Sequence, residues 1–76
     1  MAYYLRMGSD YLEQASKFGS KANALHAFET AARELDRYGH RIEASLHIAD
    51  RKDDLQEYPD FILSLGPRGG LRCERA

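Results

Sequence analysis

Ser20-Lys-Ala-Asn-Ala-Leu-His-Ala-Phe-Glu-Thr-Ala-Ala-Arg-Glu-Leu-Asp-Arg-Tyr38, followed directly by Gly39, is the stretch whose reading decides the fold. Ala22, Leu25, Phe28, Ala32 and Leu35 recur at steps of three and four, so in a helix they line one apolar stripe that must be covered. Ser20 is a favoured N-cap residue, and Gly39 suits the left-handed position just past a helix end. Both ends of the helix are therefore marked. Its outward side carries Lys21, Glu29, Arg33, Glu34, Asp36 and Arg37, with Glu29 and Arg33 spaced as an i,i+4 pair. The stripe needs a partner surface, and the remaining chain offers strands.

Upstream, Tyr3, Leu5 and Met7 alternate with Tyr4 and Arg6, the period of a half-buried strand with the first three facing in. Gly8-Ser9-Asp10 marks a turn. Tyr11 to Phe18 reads as a second strand or as coil; as a strand it turns Leu12 and Phe18 inward and Glu13, Ala15 and Lys17 outward. A helix running from Asp10 through to Tyr38 is the competing reading, but Gly19-Ser20 interrupts it.

Downstream, Arg41 to Ile48 alternates most strictly, with Ile42, Ala44, Leu46 and Ile48 inward and Arg41, Glu43, Ser45 and His47 outward. The polar segment after it has room for one helical turn around Asp53 to Tyr58, ended by Pro59. Asp60 to Leu65 is a strand with Phe61, Leu63 and Leu65 on one face and Ile62 and Ser64 on the other. Gly66-Pro67-Arg68-Gly69-Gly70 reverses the chain, and Leu71 to Glu74 returns as the last strand. The expected fold is α+β, one helix packed on a small, mainly antiparallel sheet of four or five strands in the order β(β)αβββ.

A chain of 76 residues has room for one domain, 1–76, with one modest core. The net charge of −1 removes the global basic excess that usually marks a nucleic-acid binder. Cys73 is alone and cannot form an internal disulfide, and no apolar run approaches the ~20 residues that span a bilayer. A cytoplasmic protein without membrane partners is expected.

Motifs for chemistry are thin. The glycine loop at 66–70 lacks the spacing of phosphate-binding loops and leads into a strand, not a helix, so it reads as a hairpin turn. His26, His40 and His47 stand in no metal-ligand spacing. Cys73 aligns with Leu71 on an inward face, where a small buried thiol is the ordinary outcome. The acids Asp53, Asp54, Glu57 and Asp60 could pair as carboxylates, yet so small a chain seldom builds a desolvated pocket to tune them. The expectation is a non-enzyme with no catalytic residues, no cofactor and no metal.

Charge is segregated instead. From Asp53 to Asp60 there are four acids and no base, while Arg68, Arg72 and Arg75 gather near the C-terminus. Solvated loops account for such runs in many proteins. The functional reading makes Asp53, Asp54, Glu57, Tyr58 and Asp60 a partner-binding surface for a basic, nucleic-acid-handling protein. The alternative makes Arg68, Arg72 and Arg75, with exposed tyrosines, a nucleic-acid contact. A homodimer joined edge to edge, or over the outer sheet face with Ile62 inside, is a third arrangement.

The runs Phe28 to Gly39, Arg41 to Ala49 and Tyr58 to Gly70 resemble short uncharacterised proteins of bacterial mobile elements, namely plasmids, phages and integrative elements. That group implies no reaction and no catalytic residues. It implies a dedicated binder of host machinery, and anti-CRISPR proteins are similar in size, single-domain form and lack of enzyme motifs. The expected partner is then a host protein or ribonucleoprotein complex, and the expected role is inhibition.

Overall fold

The computed structural model describes residues 1–76. Its elements are β1 (Ala2–Met7), β2 (Ser16–Phe18), α1 (Lys21–Asp36), β3 (Ala44–Ala49), β4 (Phe61–Leu65) and β5 (Leu71–Arg75), with short 3-10 turns at Leu12–Gln14 and Lys52–Asp54. The strands form one five-stranded sheet in the order β2-β1-β3-β4-β5, every neighbouring pair antiparallel. The α+β class and the β(β)αβββ order stand, with the second strand present.

That second strand is shorter than the 11–18 stretch. Only Ser16–Phe18 pairs with β1, opposite Leu5, Tyr4 and Tyr3, because the preceding residues close a 3-10 turn through hydrogen bonds from Gln14 N to Tyr11 O and Ala15 N to Leu12 O. Likewise the turn expected around 53–58 forms earlier, at Lys52–Asp54.

The helix begins where its cap residue places it. Ser20 is extended, and its Oγ accepts from Asn23 N at 3.1 Å. At the other end the helix stops at Asp36, two residues before Tyr38, because the last turn tightens: Tyr38 N donates to Leu35 O and Gly39 N to Asp36 O. Gly39 then takes φ +82° and lets His40 N reach back to Leu35 O. Loss of the Ser20 cap by Ser20→Ala is expected to cost about 1 kcal/mol and lower the thermal midpoint by about 4–8 °C in a circular dichroism melt. An unmoved midpoint would show that the Asn23 amide finds water just as well.

The buried helix face is rotated from the 22-25-28-32-35 stripe. Ala24, Phe28 and Ala32 are its centre, flanked by Leu25 and Ala27, while Ala22 is exposed and Leu35 sits at the rim. Two alanines bracketing one phenylalanine let the helix lie close to the sheet, where Phe28 packs with Leu5, Ala44, Leu46 and Leu63. Register brings Leu5 against Leu46 and Ala44 against Leu63, so each strand's inward residues meet beneath the helix.

The far side of the sheet is not a bare face. Tyr4, Ser45, His47 and Ala15, expected to point outward, are all buried. The segments joining β1 to β2 and β3 to β4 fold back across that side, and Ala2, Tyr4, Ala15 and Ala49 form a second small cluster against Leu55. Cys73, expected to be buried, is half-buried on the edge strand. No helix is long and apolar enough to cross a membrane.

Candidate functional site

The second face holds the molecule's one buried polar chain. Arg6 lies opposite Ser45 and Tyr4 opposite His47 in the β1–β3 ladder, and Ser45 and His47, two apart on a strand, share a face. Ser45 Oγ is 2.9 Å from His47 Nε2, and His47 Nδ1 is 2.9 Å from Gln56 O. A carbonyl oxygen only accepts, so Nδ1 carries the proton and Nε2 accepts from the Ser45 hydroxyl. Arg6 Nε donates to the same Oγ at 3.1 Å, and Arg6 Nη1 reaches Glu57 Oε2 at 3.4 Å.

His47 is 1% exposed. Desolvation pushes its pKa below the ordinary imidazole value and Arg6 pushes the same way; the Gln56 hydrogen bond, Asp60 and Glu57 oppose both. The ring is therefore neutral at pH 7. Serine, imidazole and a third group that orients the imidazole is the order of a nucleophilic site. Here Ser45 is 7% exposed and already accepts from Arg6, and the depression beside it, about 160 Å³, is shallow. The chain of bonds ties the segment after β3 to the sheet.

Four links pin that segment: His47 to Gln56 O, Arg6 to Glu57, Ile48 N to Asp60 Oδ2 at 2.7 Å, and Asp60 N to Leu46 O at 2.9 Å. Glu57, Tyr58 and Asp60 thus sit on a pinned loop, Asp53 and Asp54 lie in the 3-10 turn that leads into it, and all five are exposed. They are not equivalent. Asp60 is committed to the β3 backbone, Glu57 pairs with Arg6, and Asp54 lies 3.8 Å from Arg51, whereas Asp53 and Tyr58 have no side-chain partner. Tyr58 is 88% exposed.

No match was found among protein-family models, curated proteins or solved structures.

The arginine group disperses. Arg68 is exposed on the 66–70 turn; Arg72 projects to the side away from the helix, with Nε 3.9 Å from Glu74; Arg75 lies on the helix side, 5.5 Å over the Phe61 ring that Lys21 also covers at 3.9 Å. Strand alternation forces this split between positions 72 and 75. The largest depression, about 730 Å³ and open, has Arg41, Glu43, Ser64 and Arg72 in its lining. Its Arg41 is already bound to Leu65 O at 3.1 Å, Gly66 O at 2.8 Å and Asp36 at 2.8 Å. No three His, Cys, Asp or Glu side chains converge in a way that could hold a metal ion.

Sequence reading did not find Arg6, Ser45 and His47. The one available signal was the Ser-x-His pair on a strand strict enough to be central, since both faces of a central strand can be covered.

Proposed function

We propose that this chain is a non-enzymatic protein-binding module that presents Tyr58 and the acidic loop around it to a basic surface on a host protein or ribonucleoprotein complex. The observation that carries the reading is Tyr58, 88% exposed between Gln56 and Asp60, both of which are tied to β3. A loop already held in place loses little freedom on binding, and an exposed tyrosine on such a backbone, flanked by negative charge, is the kind of anchor that dominates interfaces. Asp53, free of any partner, supplies charge for steering toward a basic surface.

Size, single-domain form and the resemblance to mobile-element proteins favour inhibition of a nucleic-acid-processing complex, in the manner of an anti-CRISPR protein. Tyr58→Ala combined with Asp53→Lys leaves the pinning bonds untouched. It is expected to weaken capture of such a complex at least about 100-fold, the loss of about 3 kcal/mol from one anchor and one steering charge. The measurement is binding of purified CRISPR effector complexes, with target-DNA cleavage followed alongside. Equal binding by variant and wild type would remove the loop from the interface. Binding to RNA or DNA alone, steeply weakened by salt, would favour the arginines instead.

A further inference from the structure

We infer that β5 is a self-pairing edge, on which a second copy of this chain adds antiparallel to make one continuous sheet across a two-fold axis at Cys73. The two sheet edges differ. β2 is only Ser16–Phe18, too short to template much pairing, whereas β5 runs Leu71–Arg75 with no strand on its outer side.

The hairpin fixes which backbone groups of β5 are free. Gly66 N donates to Gly70 O, and Ala76 N donates to Asp60 O, in the same register that sets Leu63 opposite Cys73. Hydrogen-bonded and non-hydrogen-bonded pairs alternate along an antiparallel ladder. Arg72 and Glu74 therefore spend their N–H and C=O on β4. Leu71, Cys73 and Arg75 point theirs away from it, into solvent.

A second β5 can add only by setting these three residues against their own kind. Centred on Cys73, the pairing puts Cys73 opposite Cys73 of the second copy and Leu71 opposite its Arg75, each pair exchanging backbone bonds. Between them, Arg72 falls opposite Glu74 of the second copy, and Glu74 opposite its Arg72, at the closely spaced positions where side chains lie nearest. Sliding one step either way keeps the backbone bonds possible but sets Arg72 against Arg72, or Glu74 against Glu74. Charge thus selects one register out of those the backbone permits. A strand pair this short buries less than a stable interface does, so association is concentration-dependent.

Sedimentation equilibrium from about 1 µM to about 1 mM should show a monomer-to-dimer transition. Over the same range, hydrogen exchange should show the amides of Leu71, Cys73 and Arg75 gaining protection. Those of Arg72 and Glu74, already bonded to β4, should not change. Arg72→Glu and Glu74→Arg, both at exposed side chains, should each weaken self-association at least about tenfold. An equimolar mixture of the two variants should recover it, since each then faces its opposite. A monomer at every concentration, protection at other residues, or single variants that dimerise as well as wild type would each overturn the proposal. The exchange measurement on the unaltered chain holds even if a variant fails to fold.

Discussion

Phe28→Ala is expected to remove about 3–5 kcal/mol of stability, because the ring is fully buried at the centre of the core and its surroundings close only in part on the cavity it leaves. At about 0.05–0.15 kcal/mol per residue, a chain of 76 residues has roughly 4–11 kcal/mol in total. The substitution therefore removes between about a quarter and all of it. A fall of about 15–30 °C in the thermal midpoint follows for a domain of this size, read by far-ultraviolet circular dichroism. Leu35→Ala is the informative companion. Leu35 lies at the rim, so its loss should cost no more than about 1 kcal/mol. Equal effects at both positions would mean that the helix buries its 22-25-28-32-35 stripe, and the packing around Ala24 would be wrong.

That contrast also marks where sequence reading reached and where it stopped. Ser20 and Gly39 located the helix because caps are local: one side chain and one backbone dihedral decide them. Alternation located β1, β4 and, three residues too early at its start, β3, because the period of two is a property of the strand itself, while the glycine turn at 66–70 located β5. The helix's rotation was not legible, since five alanines and two leucines give nearly equal hydrophobicity over two adjacent stripes and the sheet chooses between them. The second face was not legible either. Alternation says that Tyr4 and His47 share a side, but whether water or Leu55 and Gln56 meet them depends on how two connecting segments fold. The acidic loop was visible as composition. Its pinning was not, because His47 to Gln56 and Ile48 to Asp60 are long-range choices that leave no periodic trace.

Acid should loosen that loop through His47. Its folded pKa lies below the unfolded value of about 6.5, so the folded state binds fewer protons there than the unfolded one. The stability that neutral His47 contributes is fully present above pH ~6.5 and is lost as pH falls toward and through the folded pKa. The geometry shows the cause. Protonation makes Nε2 a donor facing Ser45 Oγ, which already accepts from Arg6 Nε, and adds a positive charge beside the Arg6 guanidinium. Glu57 and Asp60 attract that charge, but burial of the ring outweighs them. His47→Ala at pH 7.5 is expected to cost about 2–4 kcal/mol, the sum of a cavity and of buried polar groups left without a partner. It should also reduce the fall in stability between pH 7 and pH 5, measured as urea midpoints across that range. His26 and His40, both exposed, remain in the two proteins, so the difference between the two curves belongs to His47. Parallel curves would mean that the ring charges without cost and does not hold the loop. Tyr58 rides on the segment that His47 anchors through Gln56, so any partner gripping Tyr58 should bind more weakly to wild type at pH 5.5 than at pH 7.5. In His47→Ala that pH dependence should be absent.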